Sequence, residues 1–89
     1  MFATPATSPL VIRPAHAADA AALERLAKLD TALVPAGEKL VAEVGGELVA
    51  AYGVERGERI GDPFRPTADV LDLLELRVRR LRRPRARAA

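Results

Sequence analysis

Cysteine and tryptophan are absent from this sequence, and histidine and tyrosine occur once each. Without thiols there can be no disulfide framework and no thiolate metal site. His16 alone cannot supply a multi-histidine centre, so no metal is expected. Aromatic residues make up 3% of the chain while hydrophobic residues reach 49%. The core must therefore be built from Leu, Val and Ala, and it will be thin. No apolar run approaches the roughly 18 residues that span a bilayer. The opening MFATPATSPL has neither the basic start nor the apolar centre of a secretion signal. A cytoplasmic location without a membrane span is the expectation.

The 89 residues suffice for one small domain. A chain of this size buries about 60–70% of the surface its unfolded form exposes, so net stability on the order of 5 kcal/mol is expected. Twelve Arg against two Lys, with abundant Ala, points to a GC-rich bacterial source. The net charge of +2 conceals a division. Up to Leu76, seven basic residues stand against all twelve acidic ones, leaving −5; from Arg77 onward, seven Arg and no acid give +7. An acidic body carries a strongly basic end.

Residues 1–9 are uncharged and aperiodic and read as a flexible lead-in. Leu10 to Arg13 is a first strand, closed by Pro14, which cannot continue a ladder. From Ala17 the period becomes helical, with Ala22, Leu23, Leu26 and Leu29 on one stripe. Asp19 in the first turn suits the helix dipole; the helix should fade near Asp30 to Leu33, and Pro35 and Gly37 end the segment. Lys39–Val44 and Glu47–Val54 are strands joined by Gly45-Gly46, a two-residue turn in which both positions accept positive φ. Glu58 to Ile60 is a short third hairpin strand. Thr67 is a good N-cap for a helix running to about Arg83, where Pro84 stops it. Val70, Leu71, Leu74, Val78 and Leu81 form its core stripe, an arc of about 100°, and Leu73 and Leu76 lie on a separate flank. The order β-α-β-β-β-α belongs to the α+β class: a small antiparallel sheet with two helices.

Two segments carry a resemblance: VIRPAHAADAAALERLAKLD from Val11, and LVAEVGGELVAAYGV from Leu40 to Val54. Together, in this order and spacing, they resemble the opening of GNAT-type N-acetyltransferases, over roughly residues 10–55. The resemblance implies a GNAT-like half-domain over 10–83, followed by a disordered, Arg-containing tail at 84–89. In that family the fourth strand leads into a Gln/Arg-x-x-Gly-x-Gly/Ala loop whose backbone N–H groups cradle the pyrophosphate of acetyl-CoA at a helix N-terminus. Here the same place reads Arg59-Ile60-Gly61-Asp62-Pro63-Phe64-Arg65-Pro66-Thr67. Two prolines remove donors and Asp62 adds a negative charge. The sequence ends after this helix, and Tyr52 does not match the family's general acid. No catalytic, cofactor-binding or metal-binding residue carries over, and no cofactor is expected.

The functional expectation is a non-catalytic GNAT-like accessory or interaction module, working as a homodimer or with another protein. The alternatives are an acetyltransferase-like protein whose cofactor site a second chain completes, and a weak binder of nucleic acid or other polyanions. His16 could be a general base, but a capping or solvated residue is the better reading, since it has no identifiable partner. Glu43, Glu47 and Glu55 read as solvated strand residues. Arg65 and Thr67, at a helix N-terminus, could hold an anion, against the plainer reading of a cap and an exposed Arg. Arg79, Arg80, Arg82 and Arg83 are the candidate polyanion contacts, although the tail has no aromatic residues to stack on bases. Leu73 and Leu76 are the candidate dimer interface.

Overall fold

The computed structural model describes residues 9–81. The expected lead-in before Pro9, the expected last helical residues Arg82 and Arg83, and the tail at 84–89 lie outside the described residues. Four strands form one antiparallel sheet: β1 (Leu10–Pro14), β2 (Lys39–Val44), β3 (Glu47–Gly53) and β4 (Arg59–Gly61), in that spatial order. Helix α1 (Ala20–Leu29) follows β1 through a 3-10 turn at Ala17–Asp19, and α2 (Ala68–Leu81) follows β4. The class is α+β, with two helices and a four-stranded meander, as the periodicities imply.

Alternation along β2 sets the layers, because successive side chains point to opposite faces. Val41 joins Leu23, Leu26 and Ala27 of α1, with Leu48, Ala51 and Ile60. Leu40 and Ala42 join Leu74 and Val78 of α2, with Val49, Ala50 and Tyr52. The helices therefore lie on opposite faces of the sheet, α1 across β3 and β4, α2 across β3 and β2. The β2–β3 register shifts between Ala42, opposite Ala50, and Glu43, opposite Leu48. This bulge makes Val49 the extra residue, so it and Ala50 both turn to the α2 side. The connecting glycines have φ of 62° at Gly45 and 85° at Gly46, as the turn between β2 and β3 requires.

Several local expectations need correction. Pro14 is inside β1, paired with Leu40. Pro9 C=O accepts from Gly45 N–H and Ala15 N–H donates to Lys39 C=O, so Pro14's nitrogen faces the open edge, where no donor is missed. The helical segment opens at Ala17, as expected, but as a 3-10 turn, and the α-helix proper begins at Ala20. Its end at Leu29 agrees with the expected fading from Asp30: Thr31 adopts φ 52° and Ala32 N–H donates back to Ala27 C=O. On α2, Val70 and Leu71 pack against the core, but Leu81 is 65% exposed. Val78 is the last residue of the stripe in the core cluster. Glu43 and Glu47 are not simply solvated, since each holds an arginine.

Candidate functional site

The segment from Gly61 to Thr67 links β4 to α2, and it is where the resemblance would place a phosphate cradle. An anion site of this kind needs backbone N–H groups aimed outward and unengaged. From Gly61 to Pro66, each donor already has a destination within the protein. Gly61 N–H donates to Asp30 Oδ2 at 3.1 Å, and Asp62 N–H to Val49 C=O at 2.9 Å. Phe64 N–H donates to Asp62 Oδ1 at 2.9 Å, and Arg65 N–H to Asp62 C=O at 3.2 Å. Pro63 and Pro66 have no N–H to offer. Gly61 is itself closely packed, since a Cβ there would lie 2.8 Å from Thr67 Oγ1.

Arg65 and Thr67, the candidate anion contacts, do come together. They line a small groove of about 210 Å³ with Val44, Val49, Pro66 and Val70. The guanidinium of Arg65, however, is half-buried and donates to Glu47 Oε1 at 2.7 Å, with Asp62 Oδ2 3.9 Å away. The reading of Arg65 as an exposed residue is thus corrected: it is half-buried, with Glu47 and Asp62 beside its guanidinium. Thr67 precedes α2 as expected, and its C=O accepts from Leu71 N–H at 2.8 Å.

Asp30 was not singled out by sequence reasoning. It follows the last residue of α1, and its carboxylate reaches the backbone of β4. Asp62 N–H points to β3, so the neighbouring Gly61 N–H points off the edge of the sheet. Asp30 therefore occupies a donor that an added strand or an extended ligand would use. No sequence pattern marks a contact between residues 31 positions apart.

A second cluster lies on the α1 face. Arg13 makes a bidentate pair with Asp19, Nη1 to Oδ2 at 2.8 Å and Nη2 to Oδ1 at 2.9 Å, and Nη2 also reaches Glu43 Oε2 at 3.0 Å. His16 N–H donates to Asp19 Oδ2 at 2.8 Å. Asp19 is 6% exposed. The arginine, and after it the His16 N–H, outweigh burial and hold the Asp19 carboxyl well below the usual carboxylate range. The two carboxylates in turn push the Arg13 guanidinium further up. These charges satisfy one another and join β1, the start of α1 and β2. The arrangement is a clamp, with no group left over to act as acid or base.

His16 itself is exposed beside an open groove of about 400 Å³ that Ala15, Ala17 and Ala20 help to line. Its ring Nδ1 is 3.7 Å from Asp19 Oδ2. Its backbone begins the 3-10 turn, which matches the capping reading. Of the candidate polyanion contacts, Arg79 is paired with Glu75 at 2.9 Å and Arg80 is exposed; Arg82 and Arg83 lie outside the described residues. Leu73 is half-buried and Leu76 is 41% exposed. Among the described residues, no group of three or more His, Asp or Glu could hold a metal ion, and no helix is long and apolar enough to cross a membrane.

Comparison with protein-family models, curated proteins and solved structures finds no match to this chain.

Proposed function

We propose that the chain is a non-catalytic, GNAT-like half-domain that serves as an accessory or interaction module and does not hold acetyl-CoA. The carrying observation is the loop from Gly61 to Pro66: every backbone position there either lacks an N–H or donates it inside the protein. A pyrophosphate would have to break those bonds and then sit beside the Asp62 carboxylate, with Arg65 already held by Glu47. The GNAT-like part of the reading is favoured by the order of strand, helix and three-stranded meander, which begins in the region of the resemblance and runs on to Gly61. It remains a likeness of motif and element order, and fold alone does not carry activity. Titration calorimetry of the full chain with acetyl-CoA is the test. No heat beyond dilution is expected at high micromolar ligand, and saturable binding in the micromolar range or tighter would overturn the reading.

A further inference from the structure

Helix α2 has two apolar stripes, and only one of them is used by the fold. Val70, Leu71, Leu74 and Val78 face the sheet. Asp69, Leu73, Leu76 and Arg80 fall at i, i+4, i+7 and i+11, a narrow second stripe along the helix. Leu73 is half-buried, and the other three are exposed. The opposite flank is already engaged, Asp72 with Arg59 at 3.3 Å and Glu75 with Arg79 at 2.9 Å. Asp69 and Arg80 have no ion-pair partner among the described residues.

The spacing of this stripe is 4-3-4, which is the same read from either end. Its charges are opposite at the two ends. A second α2 laid against it in the reverse direction would therefore place leucines on leucines and Asp69 against Arg80 of the other copy, twice over. A parallel partner would set Asp69 against Asp69 and Arg80 against Arg80. Self-complementarity under a two-fold rotation is the requirement for a closed dimer, and alternating spacings of three and four are those of a helix–helix seam. We propose that Asp69, Leu73, Leu76 and Arg80 form the seam of an antiparallel α2–α2 dimer of this chain. The proposal names the partner for the interaction reading above and rests on that reading. It does not depend on acetyl-CoA, so the calorimetric result and the dimer can fail separately.

The test is light scattering and sedimentation of the full chain over a concentration series. The unaltered protein should reach twice the chain mass. Asp69→Arg and Arg80→Asp, each alone, put like charges together at both ends of the seam and should weaken the dimer on the order of tenfold or more. An equimolar mixture of the two variants restores both opposite-charge pairs in a heterodimer and should recover association. Helix-dipole effects within one chain cannot produce that rescue. A monomer at every concentration, or variants that dimerise as well as the parent, would overturn the proposal, as would a mixture no tighter than its components. Should either variant unfold, disulfide trapping reads the same geometry, because the chain has no cysteine of its own. The pair Leu73→Cys with Leu76→Cys should cross-link into dimers under mild oxidation, and Asp72→Cys with Glu75→Cys should not. Equal trapping on both flanks would count against the seam.

Discussion

On one face of the sheet, the α1 layer is fixed at its margin by a carboxylate taken out of water; on the other, the ion pairs at the margin of the α2 layer stay in it. Asp19 is nearly covered and is matched by the two guanidinium nitrogens of Arg13 and a backbone N–H. Asp72 and Glu75 reach Arg59 from the helix surface, at 3.3 and 4.0 Å, with Asp72 largely exposed. The chemistry is the same and the consequences differ. A covered ion must be fully satisfied or it destabilises strongly, whereas an exposed pair gains little over hydration. The α1 face should therefore be sensitive to the loss of one charge, and the α2 face should depend on its apolar contacts almost alone.

Substitutions that test this contrast should have effects of falling size. The largest should be shared by both faces. Leu26 of α1 and Leu74 of α2 are each fully buried, so Leu26→Ala and Leu74→Ala should each cost about 3 kcal/mol in urea unfolding. A cost below about 1 kcal/mol for Leu74→Ala would mean that α2 is held mainly by something other than the sheet.

Asp19→Asn should come next, at about 2–3 kcal/mol, because it leaves Arg13 poorly compensated and the His16 N–H with a weaker acceptor. Its pH signature is distinctive. The folded-state carboxyl titrates below its unfolded value of about 3.9. The charged form thus favours the fold: the contribution is fully present above about pH 5 and is lost as pH falls through the unfolded value towards the folded one. Stability of the parent should decline on acidification, and the difference between parent and variant should shrink with it. A difference that stays constant from pH 7 to pH 3 would assign the effect to packing.

The smallest change should come from Asp72→Ala, within about 0.5 kcal/mol and smaller still in added salt, which screens an exposed pair. A cost comparable with that of Asp19→Asn would erase the distinction between the two faces.

Period and turn chemistry made most elements legible. β2 begins and ends where its composition implies, and the Gly45-Gly46 turn follows from the need for two positive φ values. The core stripe of α2 from Val70 to Val78 was visible as a 3.6-residue repeat. These are local properties, decided by residues within one or two turns of each other. The candidate site was less legible. The prolines and Asp62 could be read as hostile to phosphate, but not the further closure by Asp30 and Glu47. Nor could Arg13 be seen as part of a clamp, because its partners Asp19 and Glu43 are six and thirty residues away.

By itself, then, the sequence determined the α+β class, the order and approximate limits of the strands and helices, the lack of thiol chemistry, and the placing of Leu73 and Leu76 on a second flank of α2. Each of these depends on composition or on spacing along the chain. Only the tertiary structure decided that the helices take opposite faces, that the bulge at Val49 directs two neighbouring side chains to one layer, and that Asp19, Asp30 and Glu47 are occupied by distant partners. Those outcomes depend on which surfaces meet. An ion pair or a capped edge donor forms only after residues far apart in sequence have been brought within hydrogen-bonding distance by the burial of the core.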